Sequence, residues 1–370
     1  MMKKIFYLLA LAICMVACQN DDTDFSAYTD GATSTTHVIH LIYNGNSVTV
    51  TGDDKGYVST TGADVTVNAV DNDSLLLVLS GSTTDGSLLV FREKKYGIQL
   101  KGVSITNSDG PAINNQCGKS LYLEVVDGTV NTLADGTAYD ESDNYQQKGA
   151  LFSEGQIFFS GKGALTVTGN CKNAIASDDY IVVDGEPSIT ASSSTGHGIK
   201  VNDGLWINGG TLKIDVTGDA ARGIKSDTEV VIAGGDITIS TTGDCVYDEA
   251  ESDYSSAACI KCEAGFTMTG GKLTMTSSGD GGKGVNCADV VTIKGGTFSA
   301  ITTGSGDDGK PKAVKGDKGI VLSGGSFYAK VDKSWACDNG TDSEVASERV
   351  TVVGTPSEAV YAKKEVKVVF

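Results

Sequence analysis

Acidic side chains recur in this sequence at a spacing that would gather them into one row. Asp219, Asp244 and Asp280 each follow a Gly-Gly pair by nine residues, within Thr-Gly-Asp or Ser-Gly-Asp. Two longer segments, 139–143 and 247–254, both begin Tyr-Asp-Glu and add further acids. Clustered carboxylate oxygens at loops are the ligands that calcium prefers. The predicted calcium ligands are Asp140, Glu141, Asp143, Asp219, Asp244, Asp248, Glu249 and Asp280. The alternative is a solvated acidic surface that binds no metal.

A second set of side chains has the chemistry to bind sugars. Lysines at equivalent repeat positions are predicted to form one outward column, which would meet the carboxylates of a uronate polysaccharide. Tyrosines in the two acidic segments supply rings that pack on sugar faces. The predicted sugar-binding residues are Lys200, Lys225, Lys261, Tyr139, Tyr247 and Tyr254, and Lys315 continues the lysine column. The alternative is that the lysines only neutralise the neighbouring acids.

Catalytic motifs are missing from the sequence. It has no G-x-S-x-G, no H-E-x-x-H and no P-loop, and it contains only three histidines. His197 is interpreted as a turn residue. Arg222 is the only arginine within the regular repeats. A lyase that acts on uronates would be expected to have such a basic residue beside calcium. A binding protein is therefore the leading prediction, with a lyase or hydrolase as the alternative.

The charge balance excludes one class of partner. The 370 residues carry 47 acids against 29 lysines and arginines, a net charge of −18. Such a chain repels phosphate backbones, so no nucleic acid is expected as a partner.

A repeat of about 25 residues must position these side chains. Each unit has an apolar anchor residue, followed ten residues later by the first glycine of a pair. The anchors of the five clearest units are Ile199, Ile224, Ile260, Val285 and Val314. One unit alone cannot hide its apolar face, so neighbouring units must stack.

Stacking the units aligns apolar residues into columns. One column comprises Phe159, Val183, Ile207, Ile232, Met268, Ile293 and Leu322, and another comprises Leu212, Ile237, Leu273, Phe298 and Phe327. Strand periodicity with a fixed repeat predicts an all-β fold, a right-handed parallel β-helix of about eight to ten coils. A β-sandwich is the alternative, but it would not keep a fixed period.

The first residues read as an export signal. Lys3 and Lys4 precede an apolar run that is too short to span a bilayer, and Ala17-Cys18 resembles a bacterial lipobox. We expect lipid on Cys18, with residues 1–17 as signal peptide and 18–36 as a flexible tether. Residues 37–370 would form a single β-helix domain with an N-terminal strand region at 37–75. The expected location is the outer membrane, facing the exterior, with the lipid as the only membrane contact and the protein as a monomer.

Seven cysteines follow Cys18, an odd number that argues against a full disulfide framework. Cys262 and Cys287 both lie two residues after an anchor and should stack in neighbouring coils. A disulfide and a pair of buried thiols are both compatible with that position.

An ordered set of short motifs resembles a known family. These are the segments 100–107 (LKGVSITN), 110–113 (GPAI) and 131–136 (NTLADG), followed by the later Gly-Ile-Lys and Gly-Gly repeats. They resemble the calcium-binding, carbohydrate-binding β-helix proteins on the surface of anaerobic polysaccharide degraders, including Bacteroides-type surface lipoproteins. The resemblance implies a pectate-lyase-like fold, bound calcium and binding of cellulose-like or acidic plant polysaccharides. The remaining alternative is a structural adhesin without a glycan site.

Overall fold

The structure is a computed structural model that describes residues 36–69, 74–140, 144–306 and 308–370. The predicted signal peptide, Cys18, most of the predicted tether, Glu141 and Asp143 lie outside these residues. The described residues form strands and one short 3-10 helix, Ala346–Arg349. They build a parallel β-solenoid of about 11 turns, each of about 25 residues. The predicted all-β β-helix class is therefore confirmed, with slightly more coils than predicted.

Each regular coil contributes one strand to each of three rows along the solenoid. The first row, here called the anchor sheet, consists of β3 (Val58–Thr61), β4 (Asp64–Ala69), β6 (Ser87–Arg92), β8 (Ile113–Asn115), β11 (Gly149–Ser153), β14 (Asn173–Ser177), β17 (Ile199–Val201), β20 (Arg222–Ser226), β25 (Ala258–Cys262), β28 (Lys283–Cys287), β31 (Lys312–Gly316) and β34 (Cys337–Asp338). The middle row consists of β9 (Leu121–Val125), β12 (Ile157–Gly161), β15 (Ile181–Val183), β18 (Leu205–Ile207), β21 (Val230–Ile232), β26 (Phe266–Met268), β29 (Val290–Ile293), β32 (Gly319–Leu322) and β35 (Thr351–Val352). The last row consists of β10 (Val130–Ala134), β13 (Ala164–Gly169), β16 (Ser188–Ser193), β19 (Thr211–Val216), β22 (Asp236–Thr241), β27 (Lys272–Ser277), β30 (Thr297–Thr302), β33 (Ser326–Val331) and β37 (Glu365–Val369).

Antiparallel strands close both ends of the solenoid. The strands outside the three rows are β1 (Thr36–Asn44), β2 (Val48–Thr51), β5 (Ser74–Thr83), β7 (Tyr96–Thr106) and β36 (Glu358–Ala362). Of these, β1, β5 and β7 stack in parallel, and β7 pairs in parallel with both β9 and β10. Strand β2 pairs antiparallel with β1, and β3 with β4; at the other end β37 runs antiparallel to both β33 and β36. An unpaired strand edge would invite pairing with another chain, and these strands cover the two ends.

Both predicted apolar columns are confirmed. The strand register aligns Phe159 with Val183 and Val183 with Ile207, and it aligns Leu212 with Ile237. These residues are at most about 2% exposed and belong to one continuous core. The predicted number of coils is too low because the first coils lack the residues that usually flank an anchor. Their anchor positions are Val65, which stacks on Leu88, and Leu88, which stacks on Ile113.

The Gly-Gly pairs make the corner between the middle and last rows. The second glycine adopts positive φ, as at Gly210 (80°) and Gly235 (86°), where a side chain would be strained. The corner is also crowded, since a Cβ atom at Gly234 would lie 2.3 Å from the carbonyl oxygen of Asn208. Every regular coil therefore turns at the same point, which keeps equivalent side chains in register.

The anchor strands contain a local irregularity that decides which side chains point outward. Residues Gly223 and Ile224 both face the core: a Cβ atom at Gly223 would lie 2.3 Å from Ile239, and Ile224 is fully buried. Two consecutive inward residues break the usual alternation, as in a β-bulge. The residues two before and one after each anchor consequently both face outward.

Candidate functional site: a basic face on the anchor sheet

The predicted lysine column exists on the outer surface of the anchor sheet. Lys200 pairs in register with Lys225, and Lys225 with Lys261. Asn286 follows, and Lys315 pairs with it in the next coil. Neighbouring strands lie about 4.8 Å apart, so the column carries cations at nearly every coil step.

Each of these lysines also contacts a carboxylate. Its Nζ lies near an acid that follows its own anchor or that of a neighbouring coil. The pairs are Lys200–Asp227 at 3.8 Å, Lys225–Asp227 at 3.3 Å, Lys261–Glu263 at 3.0 Å and Lys315–Asp317 at 2.8 Å. The lysine side chains are between a quarter and a third exposed. The lysines therefore do neutralise acids, and they also present part of each side chain to solvent.

A second basic column runs beside the first and was not predicted as a binding element. Arg222, Lys283 and Lys312 lie two residues before their anchors, with Ala258 between the first two. His197 occupies the equivalent position in the preceding coil. The signal was present in the sequence, but ordinary strand alternation places these residues inside. The bulge turns them away from the core, so a second column of basic residues lies beside the first on this sheet. Within it, Lys283 and Lys312 are buried, at 8% and 7% exposed. We call this surface the basic face.

Burial shapes the electrostatics of the second column. Lys283 donates hydrogen bonds to Ser256 and, at 3.0 Å, to the carbonyl oxygen of Gly309. Burial, with the nearby charge of Lys315, lowers the pKa of Lys283 to about 8. Burial and then the charge of Arg222 lower the pKa of His197 to about 3. His197 is therefore neutral at pH 7, and its Nδ1 accepts the backbone N–H of Arg222 at 3.1 Å.

A two-stranded hairpin flanks the basic face. It consists of β23 (Val246–Asp248) and β24 (Asp253–Ser255), and it leaves the solenoid between β22 and β25. The Ser255 hydroxyl accepts a hydrogen bond from the Arg222 guanidinium at 2.8 Å, which ties the base of the hairpin to the second column. The rings of Tyr247 and Tyr254 meet edge to face at 5.2 Å, and Tyr247 is 50% exposed. The hairpin with two of the predicted tyrosines is thus attached at Arg222 of the second column, and Tyr254 lies beside Asp308.

Tyr139 has a different environment. Its hydroxyl donates to the buried Asp135 carboxylate at 2.6 Å, and Lys172 lies 4.8 Å from its ring centre. Burial and this hydrogen bond raise the pKa of Tyr139 far above its ordinary value. Its ring thus has partners within the fold, far along the solenoid from the hairpin.

The segment after residue 143 covers the anchor sheet in the earlier coils. Asn114 donates to the carbonyl oxygen of Gln146 at 3.2 Å, and Lys148 lies 5.7 Å from the ring centre of the fully buried Phe152. The open basic face therefore begins at about Lys200 and extends toward the C-terminal end.

The predicted acid column forms a hydrogen-bonded ladder at the corner after the last row. Oδ1 of Asp244 accepts the backbone N–H of Asp280 at 2.8 Å, and Oδ1 of Asp280 accepts that of Ser305 at 3.0 Å. A Cβ atom at Gly243 would lie 1.9 Å from the Gly218 carbonyl oxygen, so the Thr-Gly-Asp glycine is required by close backbone approach. The ladder explains the recurrence of this tripeptide without a ligand, and it leaves Oδ2 of each aspartate at the surface.

The predicted calcium ligands do not gather at one place. Asp140 lines a cavity of about 220 Å³ with Asp64 and Asp109. The pKa of Asp109 is raised there by burial and by the charges of neighbouring acids. Asp248 and Glu249 are exposed on the hairpin. Among the described residues, no three His, Cys, Asp or Glu side chains converge on a common metal position.

Cys117, Cys245, Cys259, Cys262, Cys287 and Cys337 are free thiols. Cys262 and Cys287 are register partners, as predicted, and both are fully buried. Within the part of the chain that the structure describes, no helix has the length and apolarity needed to cross a membrane.

A comparison with protein families gives one match. A family model described as "Carbohydrate-binding domain-containing protein" matches residues 61–223 and 219–309, more than half of the chain. The chain belongs to this family. The matched ranges include the first three lysines of the basic face and the hairpin. No match was found among curated proteins.

One solved structure is similar over most of its length. It is described as "polysaccharide lyase-like protein from C. thermocellum, Gadolinium derivative". The two chains are 25% identical, and the TM-score is 0.58. The match covers 69% of this chain and 96% of the other.

Proposed function

We propose that this protein binds acidic polysaccharide along the basic face. The observation that carries the proposal is the column of partly exposed lysines, with Arg222 beside it, on one sheet surface of a chain whose net charge is −18. Membership of a carbohydrate-binding domain family gives the class of ligand. Uronate carboxylates are the sugar groups that such a surface would attract.

The geometry suits a linear polymer. Cations recur along the solenoid axis at steps of about 4.8 Å, so one chain laid along the axis would contact several coils at once. A lysine ammonium has three donors, and the carboxylate partner of each lysine leaves others available for a sugar. Each exposed ion pair contributes only about 0–1 kcal/mol, so affinity arises from several contacts together and falls with salt.

A double variant tests the proposal. Lys225→Ala with Lys261→Ala should weaken binding to polygalacturonate by at least about tenfold at low ionic strength, as measured by calorimetry. The matched control is Lys213→Ala with Lys272→Ala. That pair removes the same charge from the last row, where each lysine also pairs with an aspartate. Equal loss in both double variants would mean that only net charge matters, and unchanged binding in the first would remove the basic face from consideration.

We also propose that calcium binds beside the acid ladder. The residues fit sites that use two aspartates from neighbouring coils together with backbone carbonyl oxygens and water, a combination within the calcium repertoire. The similar C. thermocellum protein was solved as a gadolinium derivative, and gadolinium, like calcium, is a hard cation that takes oxygen ligands. Calcium would offset repulsion between successive carboxylates and hold the adjacent hairpin in place.

The same proposal includes a cell-surface location. Cys18 would carry the lipid that anchors the chain to the outer membrane, facing the exterior, with the polysaccharide as the partner outside the cell. Cys18→Ala should release the protein from membranes or leave its precursor unprocessed, as read by fractionation and mass spectrometry. Normal processing and membrane association of that variant would contradict the anchor.

A lyase activity is the second candidate, favoured by the description of the similar structure as polysaccharide lyase-like. The basic face offers Arg222 and Lys283, bases whose pKa is lowered by burial, beside a predicted uronate site. Incubation with polygalacturonate and calcium distinguishes the two functions, because elimination produces an unsaturated sugar that absorbs ultraviolet light. Binding without any rise in absorbance identifies a binding protein.

A further inference from the structure

A row of aromatic side chains lies on a different surface, the outside of the middle row. One outward column contains, in successive coils, Tyr122, Phe158, Val182 and Trp206. Three of these four residues are aromatic. Tyr180, at the corner before β15, places its ring between those of Phe158 and Trp206. We call Tyr122, Phe158, Tyr180 and Trp206 the aromatic strip.

The rings of the strip are in continuous contact. Tyr122 and Phe158 stack at 5.1 Å, Phe158 meets Tyr180 edge to face at 5.7 Å, and Tyr180 meets Trp206 at 5.6 Å. Tyr122 is only 3% exposed, whereas Phe158, Tyr180 and Trp206 each keep part of their surface in solvent. The rings of Phe158, Tyr180 and Trp206 thus form an apolar surface along the solenoid axis, and Tyr122 supports it from one end.

The fold itself does not require aromatic residues in this column. In the C-terminal coils the same column contains Thr267 and Thr292, which pair in register with each other. Those coils keep the same strands and the same buried neighbours with a small polar residue at this position. Tyr122 packs with the buried Leu76 and Val78, and Phe158 packs against this cluster. Tyr180 and Trp206 are not part of it, and their rings are an addition to particular coils, as a ligand surface would be.

Polar side chains border the strip at a fixed offset. Two residues further along each strand, the outward column comprises Gln99, Glu124, Ser160, Asp184 and Asn208. Gln99 donates to Glu124 at 2.8 Å, and Asn208 donates to Asp184 at 2.7 Å, so each carboxylate retains an oxygen for another donor. The Ser160 hydroxyl is buried without a hydrogen-bond partner among the described residues.

This arrangement matches one chemical class of ligand. Aromatic rings pack against the C–H faces of pyranose rings, and carboxylate and amide pairs accept and donate to their hydroxyl groups. The carboxylates of Glu124 and Asp184 repel uronates, so the charge at the border selects an uncharged sugar. We propose that the aromatic strip is a second glycan-binding site, which takes a neutral pyranose chain along the solenoid axis. This site is separate from the basic face and does not depend on it.

The tryptophan content allows a direct test. The chain has only two tryptophans, Trp206 and Trp335. In Trp335→Phe, any change in tryptophan fluorescence on titration reports on Trp206 alone. The probes are neutral hexasaccharides of β-linked glucose, xylose and mannose, each titrated separately. We expect at least one of them to change the fluorescence, with saturation.

Binding by variants then assigns the site. Trp206→Ala and Tyr180→Ala should each weaken binding of that hexasaccharide roughly tenfold, because a ring contact is lost. Val231→Ala is the matched control, since Val231 is the next residue of the column and has no ring. Melting temperatures verify that the variants are folded, and Trp206→Phe, which keeps a ring, should retain most of the affinity.

The outcome is independent of the proposed function. The Lys225→Ala, Lys261→Ala double variant should bind the neutral hexasaccharide normally, and Trp206→Ala should bind polygalacturonate normally. The aromatic strip is overturned if none of the hexasaccharides binds, or if Trp206→Ala and Tyr180→Ala bind as tightly as the wild type does. Loss of both ligands in Trp206→Ala with an unchanged melting temperature would also overturn a separate site.

Discussion

The backbone N–H of Asp244 donates a hydrogen bond to Oδ1 of Asp219, 2.9 Å away in the preceding coil. The same contact recurs one coil later, where Asp244 is the acceptor. Asp244 and Asp280 are therefore each a side-chain acceptor for one neighbour and a backbone donor to the other. The acid column that suggested a cation site is at the same time a structural element.

Asp244→Ala should destabilise the fold by about 1 kcal/mol, because the backbone N–H of Asp280 loses its acceptor. Asp332→Ala, an exposed acid elsewhere in the solenoid, is the control for loss of one negative charge. Urea unfolding measures both. Equal stability of the two variants would mean that the ladder hydrogen bond contributes nothing.

Calcium should raise the melting temperature of the wild type relative to the chelated protein. A ligand that binds only the folded state stabilises it by about 2.7 kcal/mol at a hundredfold excess over its Kd. Asp244→Asn keeps an acceptor oxygen but removes the charge, so it should lose most of this increment. Asp248→Asn, on the exposed hairpin, should retain it. The reverse order of the two variants would place calcium at the hairpin instead of the ladder.

Gly243→Ala should be among the most damaging single-methyl changes in the chain. Its Cβ would meet the Gly218 carbonyl oxygen at 1.9 Å, and backbone on both sides must move. We expect a loss of about 3 kcal/mol, at the upper end for overpacking. Gly118→Ala is the control, since a Cβ atom there has nothing within 4 Å. Thermal melts that shift equally for both variants would contradict the close approach.

Acid should destabilise the fold partly through His197. Its pKa is lowered to about 3 in the folded state, first by burial, against 6.5 in the unfolded chain. Protons therefore bind the unfolded state preferentially below about pH 6.5, and the stability that neutral His197 contributes is lost as the pH falls toward 3. The total effect, reached below pH 3, is on the order of 5 kcal/mol.

His197→Asn isolates this contribution. Asn173 occupies the equivalent position one coil earlier, and its Oδ1 accepts the backbone N–H of His197 at 2.8 Å, so asparagine preserves the hydrogen bond pattern. Urea unfolding between pH 7 and pH 4 should show a shallower loss of stability for the variant than for the wild type. Parallel curves would mean that His197 does not titrate in this range.

The coil repeat and the buried columns were predictable because one physical constraint generates them. Identical apolar positions must stack, so the spacing of Ile199 and Ile224 fixes the fold and the register of Lys200 with Lys225. The second basic column was not predictable from strand alternation. The bulge beside each anchor reverses the direction of Lys283 and Lys312, and only the backbone reveals it.

The partners of individual side chains could not be predicted from the sequence either. Tyr139 and Tyr247 begin similar Tyr-Asp-Glu segments, yet one hydroxyl is used by the buried Asp135 and the other ring stays exposed. The aromatic strip left a trace in the sequence, because Phe158 and Trp206 directly precede two residues of the predicted core column. The sequence analysis considered only the inward residues of that column, so it did not consider the outward neighbours Phe158 and Trp206.

The constant register from Ile175 through Ile199 to Ile224 makes the whole coil the smallest unit that can be gained or lost without a defect. Deleting residues 199–223 would bring Ile175 against Ile224 and Ala176 against Lys225, with the corners before and after still aligned. Such a change shortens the molecule by one step of about 4.8 Å and removes one rung from each outer surface. The number of coils therefore sets the length of each outer surface, and under the proposed function it would set how many sugar units of a polymer the protein contacts at once.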